Sequence, residues 1–398
     1  MHMRSFFTML SLSVLMVGSA IAQGVSPESA EKYNAGQELF KKRQFQRALA
    51  SFEEAVKIDG KNAQAYRAMG TTYRKLRNYS KAIEAYQMAT SIKPDYAAAY
   101  FEMGEVQLQT KDNTGAQASM KKVLAIDPNF AEGKARDRLK VAHLKEGGTL
   151  YGRRNYKAAA AQYESATQVD PSDATVFFNL GLAHKSARNV NAAREALETA
   201  IELDPNYGKA HRVLGDLHRA TGRNSSAARA YLNAIKADAK DTRSRLNLAA
   251  VYKSMKQNSK AIDVLSKAAQ VDPQDATVRT ALGQAYFDAK QYKSSVAAYR
   301  KALGIKNSSE ANYRIAEPYF ALKQYQNAII HANKALSSSK WRVAANVILG
   351  DCYRELGQKE RAIAHYKKAV GNRQYKKYAE DQIDRILNPM GGGEEEAQ

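Results

Sequence analysis

Seven histidines (at 2, 143, 184, 211, 218, 331 and 365) and one cysteine are the side chains of this sequence best suited to metal binding or nucleophilic chemistry. Their spacing does not support either. No His pair shows the i, i+4 spacing of an HExxH zinc helix, and there is no GxSxG elbow, Walker-type loop or GxGxxG turn. Cys352 stands alone, which excludes an internal disulfide, a CxxC redox pair and a cysteine-based zinc site. His184, His211 and His218 instead fall where large packing residues recur in the chain, so a role in helix packing is the simpler reading. The expectation is no catalytic residue, no metal and no cofactor: a protein that is not an enzyme.

Charge is the other chemical feature. Lys and Arg number 61 against 40 Asp and Glu, a formal net charge of +21 over 398 residues. Apolar residues make up 44% and charged residues 25%, ordinary globular usage that argues against wholesale disorder. A cationic protein of this kind attracts acidic proteins, anionic surfaces or nucleic acid. The N-terminus selects among these. Arg4 is followed by an apolar run from Phe6 to Val17, then by small residues at Ala20 and Ala22 before Gln23. That is the layout of a cleaved secretory signal over residues 1–22, and the run is too short to span a bilayer. Export to the periplasm or cell envelope, or secretion, is therefore expected. It removes the chain from nucleic acid, for which no binding motif is visible, and leaves a mature chain with no transmembrane span.

The elements that would carry these residues are set by a period. Gly36, Gly70 and Gly104 are 34 residues apart, as are Gly147, Gly181 and Gly215, and the phase continues to Ala249 and Gly283. Twelve residues after each stands another small residue (Ala48, Ala82, Ala116, Ala159, Ala193, Ala227, Ala261, Ser295). Four further on stands a large one (Phe52, Tyr86, Met120, Tyr163, Leu197, Tyr231, Leu265, Tyr299). Five of the eight prolines close units at 94, 128, 171, 205 and 273. Within a unit the apolar residues recur at helical spacing, as in Ala82, Ile83, Tyr86, Ala89 and Ile92. Each unit thus predicts two helices separated by a short polar turn, and Asp-Pro or Lys-Pro stops the second. Two copies anchored on Ala316 and Gly350 follow after a one-residue slip.

The segment Tyr66-x2-Met69-Gly70-x2-Tyr73, Ala82-x3-Tyr86, Pro94 resembles the tetratricopeptide repeat (TPR), and Phe177-x2-Leu180-Gly181-x2-His184, Ala193-x3-Leu197, Pro205 resembles it too. About ten such units cover residues 29–376. The resemblance implies an all-α fold, an α-solenoid wound as a right-handed superhelix of helix pairs with a C-terminal capping helix. The expected organisation is a signal peptide at 1–22, repeats 1–3 at 29–130, a helical insertion or joint at 131–139, repeats 4–10 at 140–376, a capping helix at 377–389 and a disordered acidic tail at 390–398. Leu139, His143 and Gly147 also fit a repeat in a competing register. Pro318, inside a first helix, either bends the array or is simply tolerated there.

In TPR proteins the first helix of each unit lines a concave groove, with positions two, five, six, nine, twelve and thirteen tending to face it. Carried over by position, the resemblance points to Tyr33, Phe101, Phe178 and Tyr313 as an aromatic stripe, with Arg212 at the same fifth position. Position twelve supplies Arg74, Lys185, Arg219, Lys253 and Arg354, and Lys209 adds to the basic character. These side chains either face a partner or pack on the adjacent helix, and Asp216 and Asp351 stand where they could neutralise Arg219 and Arg354. Some TPR chaperone adaptors clamp a C-terminal carboxylate. Asn179 and Lys209 match that clamp, but Leu144, Gly148 and Val213 depart from it, so that function is not carried over. The reading is an exported scaffold binding acidic protein or peptide partners in its groove. The alternative is a binder of an anionic cell-wall or surface polymer.

Overall fold

The structure, a computed structural model, describes residues 25–388, so the expected signal at 1–22 and the tail at 390–398 lie outside it. The described residues form 21 α-helices and one short 3-10 turn, with no strand among them. Two compact units divide the chain, one running to Leu203 and the other from Asp204.

Unit 1 contains five helix pairs: α1 (Pro27–Lys41) with α2 (Phe45–Ile58), α3 (Ala63–Lys75) with α4 (Tyr79–Ile92), α5 (Ala97–Gln109) with α6 (Asn113–Ile126), α7 (Lys134–Gly152) with α8 (Tyr156–Val169), and α9 (Ala174–Ser186) with α10 (Val190–Leu203). Unit 2 contains five more: α11 (Gly208–Ala220) with α12 (Asn224–Ala237), α13 (Thr242–Ser254) with α14 (Asn258–Val271), α15 (Ala276–Asp288) with α16 (Tyr292–Ile305), α17 (Ser309–Ala321) with α18 (Tyr325–Ala335), and α19 (Ser339–Glu355) with α20 (Lys359–Lys367). The capping helix expected over 377–389 is α21 (Lys376–Leu387), which packs on α20 and buries Ala379 and Gln382.

Local sequence explains where helices begin and end. The Ser26 hydroxyl caps α1 by accepting from Ser29 N, and Pro27 occupies the first helical position, where no N–H is needed. Asn62, Asn78, Asp112, Asn155, Asp173, Asp241 and Asp275 cap other helices in the same way. Every first helix stops in one geometry. After α1, Arg43 N donates to Phe40 O at 2.9 Å and Gln44 N donates to Leu39 O at 3.0 Å. This is a Schellman closure, and it requires a left-handed residue, here Arg43 with φ 59°.

The pairing within each unit follows from the small and large positions. A Cβ placed on Gly70 would lie 2.6 Å from the Tyr86 ring, and one on Gly215 would lie 2.7 Å from the Tyr231 ring. The absent side chain lets each ring cross its partner helix at contact distance, and both rings are fully buried. Burying a ring of this size contributes about 2–3 kcal/mol. Neighbouring pairs then share their apolar faces: Leu248 and Val251 of α13 pack on Ala228 and Tyr231 of α12. No pair is covered without its neighbours, which is the physical basis of a solenoid.

Residues 131–139 do not form one continuous helix. Phe130–Gly133 is a 3-10 turn in which Ala131, Glu132 and Gly133 all have positive φ, and α7 starts at Lys134. At 19 residues α7 is the longest helix, and Leu139, His143 and Gly147 are all buried on it. Pro318 is buried within α17, which continues past it to Ala321. That helix ends one turn later, so the backbone bond that proline forfeits lies near a terminus.

Candidate partner-binding groove

The first helices of successive pairs come together to form clefts. In unit 1 a cleft of about 230 Å³ is lined by Tyr33, Gln37 and Phe40 of α1, Arg67 and Thr71 of α3, and Glu102 of α5. In unit 2 a cleft of about 400 Å³ is lined by Thr277, Thr280, Ala281 and Gln284 of α15 together with Glu310 and Arg314 of α17. Gln64 and Ala68 of α3 also line the first, so both draw on the second, fifth, sixth and ninth places of their units, and the first adds Phe40 at the twelfth.

The ninth position is held by a tyrosine of the second helix. Tyr86, Tyr231, Tyr299 and Tyr366 run past the small residue of the first helix, and each donates its hydroxyl to the polar group fifteen residues earlier. The acceptors are Thr71 Oγ1 at 3.3 Å, Asp216 Oδ1 at 2.6 Å, Gln284 Oε1 at 3.3 Å and Asp351 Oδ1 at 2.7 Å. The next element completes the network: Thr71 donates to Glu102 at 2.8 Å, Asn247 Nδ2 to Asp216 at 3.0 Å, and Tyr378 to Asp351 at 2.7 Å. Burial raises the Asp351 carboxyl above the ordinary aspartate range, and the two tyrosine hydroxyls oppose that shift. Of these hydrogen-bonding groups, Thr71 and Glu102 line the unit 1 cleft and Gln284 the unit 2 cleft.

The aromatic residues expected in the groove divide by environment. Tyr33 packs on Phe52 at 5.8 Å and borders the unit 1 cleft. Phe101 packs on Phe130 at 5.2 Å, inside an apolar cluster with Met120 and Leu139. Phe178 is half-buried on α9. Tyr313 stacks on Trp341 at 5.0 Å and 19°, with the Arg314 guanidinium 5.1 Å from the indole, and its hydroxyl donates to Glu317. Burial raises the Glu317 carboxyl, partly offset by Arg314.

The cations divide as well. Arg212 pairs with Asp241 at 3.1 Å, Lys253 with Asp288 at 2.7 Å, and Arg354 with Glu355 at 2.7 Å while also donating to Gln382. Arg212, Lys253 and Arg354 thus each bridge to a neighbouring element some thirty residues away. Arg74 and Lys185 are half-exposed, and Lys209 and Arg219 exposed. Asp216 and Asp351 accept from tyrosines on the second helix or the cap, a geometry that spacing along one helix does not reveal. Sequence reasoning missed Thr71, Glu102, Gln284 and Arg314. The usable signal was the tyrosine standing fifteen residues after the polar ninth positions Thr71, Asp216, Gln284 and Asp351.

Among the described residues no group of three or more His, Cys, Asp or Glu could hold a metal ion, and no helix is long and apolar enough to cross a membrane. Cys352 is fully buried, and burial pushes its thiol up to about 12, which leaves little thiolate at neutral pH. His331 and His365 repeat one arrangement 34 residues apart. Each ring stacks on a tyrosine, Tyr319 or Tyr353, and meets an asparagine at 2.9 Å, Asn312 or Asn346.

Residues 98–317 match the family model described as the Cilia and flagella-associated protein 70 C-terminal domain. Residues 32–62 and 70–111 match tetratricopeptide-repeat models, and residues 321–376 match the model described as anaphase-promoting complex, cyclosome, subunit 3. No curated protein matches the sequence. Among solved structures, the C-terminal part of a TPR repeat-containing protein from Cytophaga hutchinsonii is 18% identical with a TM-score of 0.52, over 60% of this chain and 99% of that one. MamA is 25% identical with a TM-score of 0.39, over 42% of this chain and 97% of its own. PilF of Pseudomonas aeruginosa is 17% identical with a TM-score of 0.44, over 54% of this chain and 98% of its own.

Proposed function

The chain belongs to the tetratricopeptide-repeat family described as the Cilia and flagella-associated protein 70 C-terminal domain, and from that premise we propose that it is an exported, non-catalytic scaffold that holds protein partners against its first helices. The observation that carries this reading is the recurrence of one cleft design. The same positions of consecutive first helices line the clefts at Tyr33–Glu102 and at Thr277–Arg314. Each cleft mixes apolar wall with a few fixed polar groups, which suits an extended peptide or one face of a helix. The half-exposed or exposed Arg74, Lys185, Lys209 and Arg219 favour a partner of acidic character, by attraction over distance more than by fixed contacts. Export rests on the signal-like layout of residues 1–22 and places the partner in the periplasm or cell envelope.

A photo-crosslinking residue at Gln37 or Thr280, on the first helices, is expected to label a partner in native envelopes. The same residue at Gln87 or Lys267, exposed on second helices, is expected not to. Equal labelling from both faces refutes the groove. Mass analysis of the mature chain tests export: an N-terminus at Gln23 is expected, and retention of Met1 in the processed pool refutes it.

A further inference from the structure

The turns joining the two helices of each pair carry a feature that neither fold nor groove requires. Every one contains a residue with left-handed backbone, and in eight of the ten it is Lys or Arg. In unit 1 these are Arg43, Arg77, Lys111, Arg154 and Arg188, with φ between 59° and 65°. Unit 2 has Lys256, Lys290 and Lys323, but glycine at 222 and 357 in the same geometry. Glycine is the residue this conformation favours, and any other side chain destabilises it. The two glycines show that the turn closes without a cation.

The five unit 1 side chains are all exposed, and none has an ion pair or side-chain hydrogen bond among the described residues. Helix dipoles do not account for them either. Each pair contributes one helix C-terminus and one N-terminus to this edge, so the end charges oppose one another. The five therefore form a row of unneutralised cations, one per pair, held along one edge by a repeated and unfavourable backbone conformation. The first helices α1, α3, α5 and α7 contact one another in turn, which spaces the charges at their ends by roughly 10 Å.

We propose that this edge of unit 1 is a docking strip for a linear acidic polysaccharide. Cations in regular file suit a chain with regularly placed carboxylate or sulfate groups, and four of the five are Arg, whose fork matches planar oxyanions. Asn78, Asn155 and Asn189 follow the cation directly. Each turns its side-chain carbonyl to a helix N–H and keeps its amide donors for sugar hydroxyls. Phe45, Tyr79 and Tyr156 stand two residues beyond the cation, half-buried. Phe45 and Tyr156 are in edge-to-face contact with Phe40 and Tyr151, which restrains both rings. The five exposed cations, more than these half-buried rings, dominate the edge, which suits a charged chain better than the apolar interface centre of a folded protein. Phe40 touches both the unit 1 cleft and Phe45 of the strip, but none of the five cations lines a cleft, so the two can be tested apart.

The probe is fluorescein-labelled alginate oligomers titrated with the full chain, read by anisotropy at increasing salt. Binding is expected at low salt and is expected to weaken linearly in log–log form as counterions are reclaimed. The variant Arg43→Gly, Arg77→Gly, Lys111→Gly, Arg154→Gly, Arg188→Gly is expected to bind at least tenfold more weakly. Because glycine suits each backbone site, its thermal midpoint is expected to stay or rise, so weaker binding cannot be blamed on misfolding. Gln37→Trp, which plugs the unit 1 cleft, is expected to bind as wild type. The proposal is overturned if the five-glycine variant binds like wild type, if Gln37→Trp alone abolishes binding, or if polyglutamate or single-stranded oligo-dT binds as tightly as alginate.

Discussion

At one edge of unit 1, Asp59, Asp127 and Asp170 follow the second helices of their pairs, and each carboxylate accepts the backbone N–H two residues on, at 2.9–3.0 Å. Asp173 caps the helix that follows and shares Lys140 with Asp170. At the other edge, Arg43, Arg77, Arg154 and Arg188 occupy turns of equal regularity, yet among the described residues their side chains make no ion pair or hydrogen bond, and their backbone favours glycine. Unit 2 repeats the contrast: Asp238, Asp241 and Asp272 bond within their turns, while Lys256 and Lys290 do not. Acidic turns are thus explained by folding alone, whereas basic turns are not. Regular spacing cannot separate the two cases, because a repeat propagates a structural residue and a functional one with the same period.

The largest effect expected from disturbing this contrast is at Asp241. Its carboxylate caps α13 through Ser244 N and pairs with Arg212, and its side chain is only 7% exposed. Burial opposes ionisation there, but the Ser244 and Arg212 contacts still hold the carboxyl below the usual range. Asp241→Ala is expected to cost about 2 kcal/mol in urea denaturation, from the lost cap and the unpaired guanidinium. The basic edge should respond with the opposite sign. Arg154→Gly is expected to stabilise by about 1 kcal/mol or less, and Gly222→Arg to destabilise by a similar amount. Nothing lies within 4 Å of a Cβ added at Gly222, so backbone strain is the whole cost there. A loss of stability in Arg154→Gly would show that the cation has a structural partner after all.

Acid sharpens the comparison further. Hydrogen bonding from Lys140, then from Ser172, holds Asp170 at about 2, below its ordinary 3.8. A lowered carboxyl stabilises the fold above the unfolded value, and that stability is lost as pH falls from about 4 toward 2. Asp170→Asn is expected to remove part of this loss, while glycine variants of the basic edge leave the acid limb unchanged, since Arg does not titrate there. The smallest effect concerns His331 and His365, which burial holds below the ordinary 6.5. Their contribution is present above pH 6.5 and is lost as pH falls below it. For half-exposed rings the change is under about 1 kcal/mol each. His331→Gln with His365→Gln is expected to flatten the denaturation midpoint between pH 7 and pH 5.

Much of the fold was legible in advance, because the small residue at Gly70 and the large one at Tyr86 sit in the same chain segment and constrain each other locally. The paired helices and the capping helix follow from such local rules. The candidate site was legible only in outline. Tyr33 and Arg212 were found by position, but their environments were not. Phe101 packs partly buried against Phe130 and the Met120–Leu139 cluster, and Arg212 was claimed by Asp241 twenty-nine residues on. The left-handed turns were invisible as well, since Arg77 and Lys111 look like ordinary surface cations until their φ angles are known.

Composition and a 34-residue period determined that this chain builds helix pairs and that it carries excess positive charge. Only the packed structure decided which charges are consumed. Ion pairs such as Arg67–Glu102 and Lys253–Asp288 join residues more than thirty positions apart. Their existence depends on how one pair seats on the next, a distance of a few ångströms in space that no spacing along the chain encodes.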